Sequence, residues 1–393
     1  MKDFFKIYIG KQLNKKRIAI VVTIVLVIIA IIAICVTYKN NKKARDWIDK
    51  NVLRKETTQN NLPSIEIEDI STSNIYAFNK NIGILSKNTF SIYDNTANSS
   101  TELTIEITKP IFNSSGRYLV IGEEKGQKLY VIADKSIQWE TEIEGNISQL
   151  VVNKDGYVIV TIVDTNYKTV IAVYNNKGER LFKTFQSTTR VVATSISEDN
   201  KYLALAIVDT SGTMIKSEVK IISIEKAQKD PDNAIEKTYD GEDNSLIINI
   251  KYQGKNKLIC MYTDKITEIK HDEEEETIKE ISSKNIAFAS IELSDAVVTV
   301  EEKSSGLFTA DSEITFINIS NKNETTYTAD SVAKEIYTIE DVIGVNLGSE
   351  VLFVNTSGWL LKKYTAEQEI TGIVLSNSIA GIIYRDKVEI INL

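Results

Sequence analysis

PIFNSSGRYLVIGEEKGQKLYVIADKSIQWETEIEG, residues 110–145, holds four short apolar runs separated by turn residues. IFNSS, YLVIG, KLYVIA and SIQWETEI are each strand length. Gly116, Gly126 and the Asp134-Lys135 pair fall between them. Runs rich in Val, Ile and Tyr, bounded by Gly, Asn and Asp, read as antiparallel strands joined by tight turns. This unit of four strands is the key to the chain, because it recurs.

The next stretch, 146–189, repeats it as ISQLVVNKDG, YVIVTIVDTNYK, TVIAVYNNKG and ERLFKTFQST. Residues 190–243 do so again, as RVVATSISEDN, KYLALAIVDT, SEVKIISI and AIEKTYDGED. Gly or Asn stands at the first turn of each unit, where a positive φ carries little steric cost. Weaker copies occupy 244–284, 285–330 and 331–369, and another, 74–108, precedes the clear ones. The final stretch, 370–393, supplies only three strands, ITGIVLS, IAGIIYRD and KVEIINL. SIEIEDI, 64–70, is a spare strand ahead of the first unit. It is expected to complete the last unit and close a ring, leaving no open sheet edge. A period of roughly 40–50 residues is that of propeller blades. The expectation is an all-β, eight-bladed β-propeller, with seven blades if one unit is mis-split. A pair of β-sandwiches accounts for neither the period nor the orphan strands.

NSSGRYLVIG, NKDGYVIV and SEDNKYLALA resemble the turn-Tyr-hydrophobic step of WD-like and YVTN-type bacterial propellers. SIQWETEI and GWLLKKY resemble the closing strand of quinoprotein-type repeats, with Trp139 and Trp359 at the aromatic position. The chain as a whole is similar to an uncharacterised family of membrane-anchored propellers from low-GC Gram-positive bacteria. That resemblance covers about residues 64–393 and the anchor. It implies the architecture and assigns no enzyme chemistry.

Ahead of the repeats, Ile18 to Val36 contains no charge and one Thr. As a helix it is about 28 Å long, the thickness of a bilayer's hydrocarbon core. A cleaved signal would have a shorter apolar core and a small-residue cleavage site. A lipoprotein signal would place a small residue before Cys35, where Ile34 stands. A single-pass transmembrane helix over 18–37 is therefore expected, followed by a juxtamembrane helix and linker over 38–63 and the propeller over 64–393, with 64–70 closing the last blade. Residues 1–17 carry six Lys or Arg, and residues 38–55 carry seven. A short tail with its charges against the helix resists translocation, whereas large domains cross largely regardless of charge. The expected orientation has the basic tail in the cytoplasm and the propeller outside, in the cell membrane. The whole chain carries −8 and this tail +5, so the remainder carries −13. An acidic domain argues against nucleic acid as its partner. Only 39–55 has the charge to meet anionic lipid.

No motif for catalysis emerges. There is one histidine, His271, and two cysteines, Cys35 and Cys260, so neither a disulfide framework nor a zinc site is indicated. Haem-attachment, sialidase-box and phosphate-loop patterns do not occur. The acidic run Asp272–Glu276 lacks the spacing of a calcium loop and reads as a solvated turn. No catalytic residue, cofactor or metal is assigned. Two insertions, 226–234 and 302–311, lengthen hairpins, and loops on rigid scaffolds carry contacts. Leu307 and Phe308, at the tip of the second, are candidate contact residues for a protein partner, or they fold back onto their own blade. Asp164, Asp209, Asp264 and Asp386 follow the second strand of their units and are expected on one face. There they form either an acidic rim for a cationic or polar partner or serve as turn residues. The expected function is a protein-interaction platform in the cell envelope. The alternatives are a sensor for a small ligand or sugar and, third, a carboxylate-based enzyme.

Overall fold

The computed structural model describes residues 15–53, 55–58, 62–68, 70–242, 245–271, 273–281, 286–304, 306 and 310–393. The chain divides into two units, Met1–Thr57 and Thr58–Leu393.

The first unit holds two helices, α1 (Lys15–Asn40) and α2 (Lys42–Asn51). Helix α1 is apolar on every side, and its side chains from Ile20 to Val36 are exposed. It is long and apolar enough to cross a membrane. Asn41 separates the helices and caps the second, its Oδ1 accepting a 3.1 Å hydrogen bond from the Ala44 N–H.

The second unit is an eight-bladed β-propeller. Blade 1 comprises Ile75–Phe78, Asn81–Ser86, Thr89–Tyr93 and Ser99–Thr104; blade 2, Pro110–Ser115, Tyr118–Glu123, Lys128–Ala133 and Ser136–Glu142. Blade 3 comprises Asn146–Val152, Val158–Val163, Thr169–Tyr174 and Arg180–Gln186; blade 4, Arg190–Ile196, Tyr202–Asp209, Lys216–Ser223 and Ile235–Asp240. Blade 5 comprises Ile247–Gln253, Lys257–Tyr262, Lys265–Lys270 and Glu275–Glu280; blade 6, Ile286–Ser290, Ala296–Ser304, Ala310–Asn318 and Glu324–Ala329. Blade 7 comprises Glu335–Ile339, Val342–Asn346, Glu350–Asn355 and Leu360–Thr365. Blade 8 takes Gly372–Leu375, Ile379–Ile383 and Lys387–Asn392 from the carboxyl end and Ser64–Glu66 from the amino end. Ser64 pairs with Glu389 and Glu66 with Lys387, both antiparallel. The first strands of neighbouring blades touch from blade 6 round through blade 8 to blade 3, and again between blades 4 and 5. They form the inner ring.

The strand patterns follow from this packing. A central strand of a blade is covered on both faces, so it reads as a continuous apolar run. In Tyr202–Asp209, Leu203, Leu205 and Ile207 pack towards blade 3, and Ala204, Ala206 and Val208 towards blade 5. The small alanines leave room for Tyr252 and Tyr262 of blade 5. An outermost strand is covered on one face only and alternates, as Ser136–Glu142 does. Eight apolar layers of this kind lie between successive blades, including one between blades 8 and 1. The first-turn expectation is met: Gly116, Gly156, Asn200 and Gly254 all have positive φ.

A buried polar cluster marks the seam between blades 7 and 8. Glu389 is almost fully buried, and its carboxylate accepts from the Tyr364 hydroxyl and pairs with Lys387 Nζ at 2.6 Å. Tyr364 and Tyr384 share a hydroxyl–hydroxyl hydrogen bond beside it.

Candidate interaction face

In an up-and-down blade, the hairpin between the second and third strands leaves at the same end as the connection to the next blade. That end of the ring collects eight such hairpins and the blade-to-blade links. The hairpins differ in length. In blades 1 and 5 they are tight turns, whereas blade 3 uses 164–168 and blade 4 uses 210–215.

All four aspartates sit on this face. Asp164 Oδ1 accepts from the Asn166 N–H at 2.7 Å. Asp209 Oδ1 accepts from the Ser211 N–H at 2.8 Å. The Ser211 hydroxyl and amide, aided by Lys168 and Lys216, hold the Asp209 carboxyl below the usual range. Asp264 Oδ1 accepts from the Ser245 hydroxyl at 2.5 Å. Asp386 contributes its backbone carbonyl, which accepts from the Ile67 N–H at 2.9 Å where the amino-terminal strand joins blade 8. The Asp164 and Asp209 carboxylates thus shape their own turns, and that of Asp264 ties its turn to the link that enters blade 5. They belong to three successive blades, and Asp386 stands on the far arc.

Leu307 and Phe308 lie outside the described residues. The strands flanking them, Ala296–Ser304 and Ala310–Asn318, have nine residues each and are the longest described in the propeller. They stay paired to Ser304 and Ala310, which carries blade 6 further out on the same face. The other insertion, 226–234, forms a short helix, Ile224–Ala227, and a 3₁₀ turn, Pro231–Asn233, at the opposite end of blade 4.

The structure adds residues that the sequence reading did not single out. Val163 and Tyr167 on the blade 3 hairpin, Phe185 on the outer strand beside it, and Met214 and Ile215 on the blade 4 hairpin are 36–47% exposed. The Tyr167 and Phe185 rings lie 4.8 Å apart. The two hairpins are neighbours, since Lys168 on one acts electrostatically on Asp209 of the other. The sequence does carry a signal for them. DTNYK and SGTMIK are turn strings in which Tyr167, Met214 and Ile215 are the out-of-place apolar residues. An exposed apolar cluster ringed by polar side chains is characteristic of a contact surface.

A second feature of this face is a cleft of about 370 Å³ beside the ring closure, lined by Ile70, Ser71, Thr72, Thr371, Tyr384 and Arg385. Elsewhere, the acidic run is held by lysines. Glu276 pairs with Lys322, and Glu273 lies 3.9 Å from Lys270. Asp272 is outside the described residues. Among the described residues no group of three or more His, Cys, Asp and Glu side chains is arranged to hold a metal ion.

Ring, closure and apolar helix together define an eight-bladed β-propeller that follows an amino-terminal apolar helix. The chain belongs to the family of unknown function DUF5711, whose model matches residues 53–393. Comparison with curated protein sequences returns no match. Among solved structures it is similar to the C-terminal WD40 domain of Sif2, at 12% identity and a TM-score of 0.54, covering 84% of this chain and 98% of that one. It is also similar to Chaetomium thermophilum Sqt1 bound to the N-terminus of ribosomal protein L10, at 12% identity and a TM-score of 0.50, covering 85% and 100%. BamB from Moraxella catarrhalis matches at 15% identity and a TM-score of 0.48, covering 84% and 96%. At these identities the likeness is one of fold.

Proposed function

We propose that this protein is a single-pass, membrane-anchored propeller. Its basic amino-terminal tail is cytoplasmic and its propeller stands outside, offering the hairpin face of blades 3 and 4 to a protein partner in the cell envelope. The observation that carries this is the exposed cluster of Val163, Tyr167, Phe185, Met214 and Ile215. Aromatic and methionine side chains on rigid hairpins are the kind that anchor protein interfaces. The Sqt1 complex shows a propeller of similar fold holding a peptide segment. The length of α1 and the charge of the first 17 residues support the anchor and its direction.

Two experiments test the reading. In a chain with Cys35→Ser and Cys260→Ala, a cysteine replaces the exposed Asn98. Labelling of intact cells by a membrane-impermeant maleimide is expected, and labelling only after lysis would overturn the orientation. A photo-crosslinker at Ile215 should then give an adduct that Phe185→Ser abolishes. A crosslinker at Trp359, at the opposite end of the ring, should not give it. The same adduct from both ends, or one indifferent to Phe185, would remove blades 3 and 4 as the contact site.

The cleft at the ring closure favours a second reading, a small polar ligand or sugar, because Ser71, Thr72, Thr371 and Arg385 are among the residues that line it. Protection of the Arg385 region from hydrogen exchange by a bound saccharide would support it.

A further inference from the structure

Asp49 of α2 is buried at 3% exposure and is the centre of a closed polar triad. Its Oδ1 accepts from the Tyr38 hydroxyl at 2.6 Å and lies 2.9 Å from Lys55 Nζ. Lys55 Nζ also donates to the Tyr38 oxygen at 2.9 Å and lies 5.5 Å from the centre of the Tyr38 ring. Tyr38 belongs to the last turn of α1, two residues beyond the apolar run that ends at Val36. The triad therefore ties α2 to the end of α1. If α1 spans the bilayer, Tyr38 lies at the headgroup boundary, the depth that Tyr and Trp favour.

That tie fixes where the rest of α2 lies. Trp47 is two residues from Asp49, about 3 Å along the axis and roughly 160° round it. It faces away from the triad. Trp47, Val52 and Leu53 are 61%, 60% and 51% exposed. Trp47 belongs to the ten-residue helix and Val52 and Leu53 follow it directly, and a helix this short is poorly stabilised by itself. Its segment, 38–55, carries seven Lys or Arg against two Asp, in a chain whose remainder beyond residue 17 is strongly acidic. Apolar groups and basic groups on one short helix next to a spanning segment fit the surface of an anionic bilayer.

We propose that α2 is an interfacial helix. Its partner is the headgroup region of an anionic membrane, and the Tyr38–Asp49–Lys55 triad holds it at that depth. The inference rests on the reading of α1 as a membrane span. It gives the linker a function: the propeller's tether leaves the membrane from a fixed, surface-bound elbow.

The test uses the full chain in lipid nanodiscs, with Trp139→Phe and Trp359→Phe so that Trp47 is the sole tryptophan. Nanodiscs contain phosphatidylcholine alone or with phosphatidylglycerol, and some of the lipids are brominated near the headgroup end or the tail end of their chains. Trp47 is expected to emit at shorter wavelength than a water-exposed indole. It should be quenched by the shallow bromines, more so with phosphatidylglycerol. Asp49→Asn should weaken that quenching, since it removes the charge that Lys55 and Tyr38 share. An unshifted, unquenched Trp47 overturns the inference; equal quenching in both lipids overturns its anionic part, and an unaltered Asp49→Asn profile overturns the triad's role. A companion chain with Trp47→Phe and Leu26→Trp reports the span itself. Quenching of this companion's indole by the deep bromines, with Trp47 silent in the first chain, removes only the interfacial helix. Loss of that deep quenching removes the span on which it rests.

Discussion

Ser217, at the start of the third strand of blade 4, accepts a 3.0 Å hydrogen bond from the backbone N–H of Ile247, which opens the inner strand of blade 5. The same bond recurs elsewhere in the ring. Thr169 of blade 3 accepts from Val191 N–H at 3.2 Å, and Ser312 of blade 6 from Ala333 N–H at 2.8 Å. All three hydroxyl-bearing residues are buried. In each case a backbone amide at or just before the start of an incoming inner strand donates to a hydroxyl of the preceding blade. In blade 5 that end of the third strand starts with Lys265, whose ammonium bonds Glu242 at 2.6 Å instead. Sequence repeats describe blades one at a time; these hydroxyls join blades 3, 4 and 6 to the blades that follow them.

Ser312→Ala leaves the Ala333 amide buried and unpaired. It should cost about 1–3 kcal/mol, the desolvation penalty of an orphaned donor. Ser320→Ala, on an exposed turn, should stay within about 0.5 kcal/mol. Urea unfolding of the detergent-solubilised chain measures both. Equal midpoints would show that the hydroxyl does not join the blades.

Gly178 and Trp139 give a second, separable test. Gly178 has φ of +81°, and a Cβ there would come within 2.8 Å of the Trp139 ring. Gly254 has nearly the same φ, +77°, with nothing within 4 Å of its would-be Cβ. Gly254→Ala should therefore show the backbone cost alone, about 1–2 kcal/mol. Gly178→Ala should exceed it, because Trp139 must leave its stack on Tyr174. Equal losses would mean that the ring shifts freely.

At the blade 8 seam, strands from both ends of the propeller meet. Glu389→Ala leaves Lys387 without its carboxylate and the Tyr364 hydroxyl without its acceptor. Breaking a buried pair in this way costs about 3–5 kcal/mol. The loss should appear first in the amide of Ile67, bonded to Asp386, and that of Ile390, bonded to Pro63. Hydrogen exchange that accelerates evenly over all blades would contradict a role for Glu389 in closing the ring.

Much of this fold is written locally. Strings such as YLALAIV and TVIAVY are continuous because both faces of a central strand are covered, and SIQWETE alternates because one face is. The blade count and the completion of blade 8 by an amino-terminal strand follow from those runs. The contact face is different in kind. Tyr167 and Phe185 are eighteen residues apart, and Met214 lies on another blade, so their common exposure is a property of the ring. The Tyr38–Asp49–Lys55 triad is hidden for the same reason, since the turn at Asn41 decides which side chains meet. Asp164 and Asp209 read equally as rim or turn residues, because a carboxylate that binds its own turn has the same sequence as one that waits for a partner.

Buried tyrosines set the alkaline limit of the propeller. Burial raises the phenol of Tyr384 to about 12 and raises those of Tyr76, Tyr252, Tyr262 and Tyr364 as well. In the unfolded chain a tyrosine ionises near pH 10. Above that pH the unfolded chain has released protons that the folded one still holds, so stability falls as pH rises. Below about pH 9 both states keep the protons and these phenols add no pH dependence. The urea midpoint should therefore be level in this respect up to about pH 9 and decline from about pH 10 upward. Lysines whose amines are raised by carboxylate partners, such as Lys270 beside Glu268, lose stability in the same direction. Absorbance at about 295 nm separates the two, because it follows phenolate alone. The buried tyrosines should ionise together with unfolding, later than the exposed ones. A midpoint unchanged to about pH 11, or phenolate absorbance that rises fully before the sheet is lost, would show that these phenols reach water in the folded ring.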